Sequence, residues 1–227
     1  MVEHEPGFLR VGIIGEGKTD FLLLEAIVRA LHPNIEVVPL FRDNTQPPSG
    51  WGGVRAWCRE NHDQLELVMR GVVGRELDLL VIHVDCSMAY NVLDVPPCPP
   101  ASATADRLRE LMVSDWLALP ERPAFLVLAT PAQSSDAWVV ATLDPAFANL
   151  DGIKCDPAAE DELIQRRICR RRDGEVKKPA RVFAPLAARV VELLDHVCHH
   201  CTQAASFRSD FANAVGSVPT GRVEAGR

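Results

Sequence analysis

The sequence predicts an α/β protein: a three-layer α/β/α sandwich with a mostly parallel sheet of about four strands, followed by a helical C-terminal extension. Three observations carry this. Apolar runs of strand length recur at residues 11–14, 35–40, 77–84 and 124–129. A helical pattern separates each run from the next, and such alternation is the signature of parallel strands joined by right-handed crossovers. The third run, Leu77-Asp78-Leu79-Leu80-Val81-Ile82-His83-Val84, is almost continuously apolar, as a strand buried on both faces requires.

In chain order, Val11-Gly12-Ile13-Ile14-Gly15-Glu16-Gly17-Lys18-Thr19-Asp20 reads as a strand ending in a glycine-flanked turn that presents Glu16. A helix starts at once behind it, with Thr19 or Asp20 as its N-cap. The second strand, residues 35–40, contains Pro39 and so belongs at an edge or ends there, since proline donates nothing to a ladder. Residues 44–53 are loop chemistry throughout, long enough to cover a site, and a helix follows over 54–70. The third strand ends in Asp85, and residues 88–102, with Pro96, Pro97, Pro99 and Pro100, form an irregular excursion. A helix over 104–117 leads into the fourth strand. Beyond residue 134 strands are expected to stop, with helices over 135–142, 157–171, 180–201 and 206–214 and a frayed tail from 216. The expected division is an α/β core over residues 1–145, a helical extension over 146–215 packed on it, and a flexible tail over 216–227.

Composition narrows the function classes. The chain has 227 residues, 47% hydrophobic and 24% charged, which is ordinary for a globular protein with a sizeable core. The acidic start Met1-Val2-Glu3-His4-Glu5-Pro6 is no signal peptide, and no run approaches 18 apolar residues, so a cytoplasmic protein without a membrane partner is expected. Seven cysteines without an export signal read as reduced thiols. A net charge of −7 argues against a globally basic nucleic-acid coat and leaves a local basic face open.

Acids follow three of the four strands. In a parallel sheet their carboxyl ends share one edge, so Glu16, Asp20, Asp85 and Asp136 converge although far apart in sequence. Clustered carboxylates suit a hard divalent cation such as Mg²⁺ or Mn²⁺, and without one they repel until one takes up a proton. A bland alternative is a set of βα turns whose acids cap helices.

A second feature is basic: Arg166, Arg167, Arg170, Arg171, Arg172, Lys177, Lys178 and Arg181 are opposed within that stretch only by Asp173 and Glu175. Such a segment grips a nucleic-acid backbone, or it is a solvated helix end with acids in its first turns and bases in its last. Two weaker motifs remain. His196-Val197-Cys198-His199-His200-Cys201 holds zinc-type ligands but lacks a second pair at finger spacing. Gly12 to Thr19 satisfies G-x-x-x-x-G-K-T, yet its first glycine falls in the strand and Glu16 stands where phosphates would sit. His83, inside the buried strand, reads as a packed core histidine.

The blocks Ile14-Gly15-Glu16-Gly17-Lys18-Thr19-Asp20 and Val81-Ile82-His83-Val84-Asp85 resemble the Toprim domain of topoisomerases, primases and overcoming-lysogenisation-defect nucleases. With Ser135-Asp136-Ala137-Trp138 they resemble more narrowly a group of small bacterial Toprim-like proteins, over about residues 9–142, with a weaker echo at Lys177-Lys178-Pro179. The resemblance implies Mg²⁺-dependent phosphodiester cleavage, with Glu16 as general acid or base and Asp85 holding the metal. Asp20 or Asp136 would complete the ligand set, and Lys178 or a neighbouring arginine would stabilise developing charge. It suggests a role in DNA processing or phage defence; nucleic acid and a partner protein, an ATPase being one candidate, are the expected partners, and no organic cofactor is expected. One departure stands out: the family's Asp-x-Asp reads here as Asp85-Cys86-Ser87, and a hydroxyl is a poorer Mg²⁺ ligand than a carboxylate. A non-catalytic adaptor that has lost the metal, and a P-loop-like nucleotide binder, are the alternatives.

Overall fold

Four short apolar segments pair side by side to make the centre of the protein. In the computed structural model, which describes residues 8–40, 50–71, 76–93, 101–143, 155, 159–172 and 175–219, these are β1 (Leu9–Ile14), β2 (Ile35–Pro39), β3 (Leu79–His83) and β4 (Leu126–Ala129). The sheet order is β2-β1-β3-β4 and every pairing is parallel, with Val11 opposite Val37 and Leu79, and Leu80 opposite Leu126. Pro39 thus lies on an edge strand, as its missing N–H demands.

Alternate residues of the strands enter two separate cores. Val11, Ile13, Leu79, Val81, Val127 and Ala129 join one, while Ile14, Leu80, Ile82, Leu126 and Leu128 join the other. Both faces are therefore covered, an arrangement compatible with a three-layer sandwich. The first core is closed by α1 (Lys18–Leu31), α6 (Asp136–Leu143), α7 (Ala159–Gln165), α8 (Ala180–Glu192), α9 (Leu194–His200) and α10 (Thr202–Ser217). The second is closed by α2 (Gly50–Asn61), α3 (Leu65–Arg70), a short α4 (Ala89–Val92) after Met88, and α5 (Ala101–Leu111), which runs on into a π-helical turn, Met112–Trp116. Helix α6 is buried on every side from Asp136 to Thr142, and its Trp138 ring stacks on Phe207 of α10 with centroids 6.2 Å apart. The C-terminal helices thus share the sheet's own core. Among the described residues no helix is long and apolar enough to cross a membrane.

Several expectations are corrected. Strands do not stop at residue 134: β5 (Arg170–Arg172) and β6 (Glu175–Lys177) form an antiparallel hairpin, whose first strand takes the end of the helix expected over 157–171. The chain leaves α7 through Arg167, whose φ of 61° is left-handed and cannot continue a right-handed helix. The expected loop over 44–53 gives way to helix at Gly50, and residues 44–49 lie outside the described residues. Helix also enters both ends of the expected excursion over 88–102, as α4 and the start of α5, while residues 94–100 lie outside the described residues. Leu193 interrupts the helix expected over 180–201, and α10 reaches Ser217, into the expected tail, of which residues 220–227 lie outside the described residues. Neither Thr19 nor Asp20 caps α1; Gly17 holds that position with extended backbone and no side-chain bond. Cys58, Cys86, Cys169, Cys198 and Cys201 are free, but Cys155 is disulfide-bonded, against the reading of all seven as reduced.

Candidate metal centre

The sheet order reverses direction between β1 and β3: the chain moves outward one way to β2 and the other way to β4. Ligands of open α/β sheets bind in the crevice at the carboxyl ends of such a pair. Here β1 delivers Glu16, β3 delivers His83 and Asp85, the first turn of α1 delivers Asp20, and the segment after β4 delivers Ser135 and Asp136.

The contacts interlock. The backbone N–H of Asp85 donates to Glu16 Oε1 at 2.7 Å, and the N–H of Ser135 donates to Asp85 Oδ1 at 3.0 Å. Ser135 Oγ donates to Asp20 Oδ1 at 2.6 Å. His83 is completely buried; its Nε2 approaches Asp85 Oδ1 to 3.2 Å, and neither ring nitrogen makes a hydrogen bond of ordinary geometry among the described residues. One ligand atom each from Asp20, His83 and Asp85 lie within 4.8 Å of one another. A buried imidazole without a hydrogen bond, facing two carboxylates, is what a divalent cation satisfies. The residues therefore fit a metal.

Two glycines shape the pocket. Gly15 lies beside the site, where a Cβ would make ordinary contacts at 3.6 Å with both the Asp20 and His83 side chains. Gly50, at φ +63°, opens α2 with its N–H on the carbonyl of Glu16 at 3.1 Å, and a Cβ on it would stand 3.8 Å from Glu16 Oε2.

Electrostatics follow from crowding acids in a place with little water. Burial, with Asp85 nearby, pushes the Glu16 carboxyl up to about 8. Asp20 is raised, again mainly by burial, against the opposing pull of His83. Burial alone would lower His83, but Asp20, Asp85 and Glu16 outweigh it and hold the imidazole up at about 9. Asp136 is raised to about 6 by burial, with Lys178 pulling the other way. Lys178 Nζ lies 2.5 Å from Asp136 Oδ2 and 3.3 Å from Glu160 Oε1, and although burial lowers it, these acids raise it on balance.

The four acids foreseen from sequence, Glu16, Asp20, Asp85 and Asp136, are thus neighbours, and Lys178 joins them from the C-terminal segment. Their partition differs from expectation: Asp136 is ion-paired with Lys178, while the close metal-type set takes His83 in its stead. Ser87, where the resemblance leads one to expect a second aspartate, sits exposed in the turn Cys86–Met88 with its N–H on the Gln133 carbonyl, apart from these acids. Sequence reasoning assigned no chemistry to His83, Ser135 or Glu160. The available signal was that His83 precedes Asp85 by two residues in an extended segment, so both point the same way.

The other motifs fare less well. Gly12 lies inside β1, where a Cβ would press on Leu40 and Leu77 at 2.7 and 2.8 Å, leaving only Gly15, Glu16 and Gly17 between β1 and α1. That is too short a loop to cradle phosphates in the P-loop manner. Among the described residues the only close group of three or more potential ligands is the Asp20–His83–Asp85 set; residues 196–200 are helical and Cys201 ends that helix, with Cys198 and Cys201 buried in the core. Arg166, Arg167, Arg170, Arg171, Lys177 and Arg181 are all exposed, in the turn after α7, on the hairpin and at the start of α8. No protein-family model, curated protein or solved structure matches the chain.

Proposed function

We propose that the chain is a Toprim-like protein that cleaves phosphodiester bonds with a divalent cation held by Asp20, His83 and Asp85. The observation that carries this reading is the approach of those three side chains to within 4.8 Å at the switch point of a parallel sheet, beside the hydrogen-bonded Glu16. When bound, the cation supplies polarisation of a phosphoryl oxygen and a more acidic water. The chain's own groups supply the rest. In the metal-free site burial and Asp85 raise Glu16 to about 8, and a carboxyl so placed beside the three ligands is suited to exchanging a proton with a reacting oxygen. Lys178, ion-paired with Asp136 and Glu160, brings a lysine ammonium to the acid cluster and is suited to balancing charge on a phosphate. An imidazole among the donors favours Mn²⁺ over Mg²⁺, since nitrogen ligands suit the transition ion better than the harder one.

A second reading, an adaptor of the same fold without catalysis, draws support from Lys178, which already neutralises Asp136, and from exposed Ser87 in place of the family's second aspartate. Incubation of labelled DNA and RNA, single- and double-stranded, with Mn²⁺ or Mg²⁺ separates the two. A nuclease gives metal-dependent cleavage that falls by about 100-fold or more in Glu16→Gln and Asp85→Asn. Metal binding without cleavage of any substrate supports the adaptor.

A further inference from the structure

The β5–β6 hairpin carries positive charge where its own structure disfavours it. Arg170 stands directly opposite Lys177 in the register, both exposed, and like charges across an antiparallel pair destabilise it. Arg181 lies exposed in the first turn of α8, at the positive end of the helix dipole. Three acids of the preceding helix are engaged by other bases. Glu162 is taken by Arg166 at 2.5 Å, Asp161 by Arg171 at 3.1 Å and Glu160 by Lys178 at 3.3 Å. Arg167, Arg170 and Arg181 have no ion pair among the described residues. Residues 159–181 hold eight basic against five acidic side chains, in a chain of net charge −7.

From these placements we infer that the outer face of the hairpin, with the start of α8, docks the phosphate backbone of a nucleic-acid strand and does so without the metal. The inference rests on the phosphodiesterase reading for what happens next, because Lys178 directly follows β6 and reaches Asp136 in the acid site. A strand held on Arg170 and Arg181 is thereby led to the carboxylates. A protein partner fits the surface less well. Its apolar anchors, Cys169 and Val176, are turned into the core, so the apolar centre of a protein interface is missing. No aromatic residue lies between 166 and 181, so contacts are to phosphates rather than stacked bases, and binding is insensitive to sequence and steep in salt.

The test is anisotropy of a labelled single-stranded oligonucleotide in EDTA, for the full chain and for the double variant Arg170→Glu/Arg181→Glu. Both reversals favour the fold locally: a carboxylate at position 170 would face Lys177, and one at position 181 would suit the helix start, so melting temperature is expected to hold or rise. Expected results are binding in EDTA, a loss of about tenfold or more in the variant, and a salt slope shallower by about 1.4, two single-strand phosphate contacts. Mn²⁺ binding by calorimetry stays unchanged. If the double variant does not fold, Arg181→Glu alone is read, with half that slope change expected. Absence of binding in EDTA, binding untouched by the reversals, or equal competition by polyglutamate overturns the inference. Absence of Mn²⁺ binding to the wild type beside intact oligonucleotide binding overturns the phosphodiesterase reading instead.

Discussion

Glu16 and Asp85, 69 residues apart, are joined by one hydrogen bond: the Asp85 backbone N–H donates to Glu16 Oε1 at 2.7 Å. The acid after β1 is held by the chain leaving β3, so adjacent parallel strands fix the position of both groups. Because Asp85 Oδ1 in turn accepts the Ser135 N–H and Ser135 Oγ serves Asp20, three strand ends are tied into one unit.

Stability of the metal-free protein is expected to fall as pH rises. Glu16, Asp136 and His83 are all raised in the folded state, to about 8, 6 and 9. A raised group stabilises fully below its unfolded value and loses that contribution as pH climbs through its folded value. For Glu16 the window runs from 4.5 to about 8, for Asp136 from 3.8 to about 6 and for His83 from 6.5 to about 9. Melting temperatures in EDTA should therefore drop steadily from weakly acidic to alkaline pH, and Glu16→Gln should make the drop shallower. Stabilisation by Mn²⁺ should run the other way, growing with pH as protons leave the ligands. A metal-free melting temperature that rises between pH 6 and 9 would speak against the buried, crowded site.

The fold was legible where pattern and topology coincide. Alternating apolar runs announced four parallel strands, and Pro39 announced the edge. The acids could be gathered in advance because a parallel sheet puts all carboxyl strand ends on one side. His83 was harder, since a histidine in an apolar strand looks the same whether it faces a core or two aspartates, and only its two-residue spacing from Asp85 tells the cases apart. The hairpin was hidden for another reason: Arg170-Arg171-Arg172 has no apolar alternation, and its pairing depends on Cys169 and Val176 anchoring it to the core.

The Ser135 hydroxyl should matter through Asp20 alone, its backbone N–H serving Asp85 whatever the side chain. The hydroxyl would orient Asp20 for the proposed metal from outside the ligand set, and loss of such support costs roughly 10–100-fold in metal affinity. Ser135→Ala is expected to weaken Mn²⁺ within that range, while Ser135→Thr, which keeps the hydroxyl, restores most of it. Equal loss in both variants would indicate packing rather than the hydrogen bond.

Lys178 and Asp136 form an ion pair whose acid is only 3% exposed. Removing one partner of a buried pair strands the other charge, at a cost of about 3–5 kcal/mol, whereas removing both is far milder. Lys178→Met should approach that loss in urea unfolding, less the share that solvent screening of the partly exposed lysine removes. Lys178→Met/Asp136→Leu should recover much of it. Additive losses would mean that the pair is not coupled.

Metal choice should follow the donor set. With His83 beside two carboxylates, Mn²⁺ is expected to bind about tenfold or more tightly than Mg²⁺, and His83→Gln, which substitutes oxygen for nitrogen, should narrow that gap. Parallel titrations of both ions against both proteins give the comparison; a gap unchanged by His83→Gln would remove the histidine from the ligand set.

The most direct measurement is calorimetric titration of Mn²⁺ into the wild-type chain beside Asp85→Asn. Saturable binding in the wild type, lost in Asp85→Asn with the melting temperature preserved, is the expected result. No binding at millimolar Mn²⁺, or binding equal in the two proteins, would contradict a metal centre built on Asp20, His83 and Asp85.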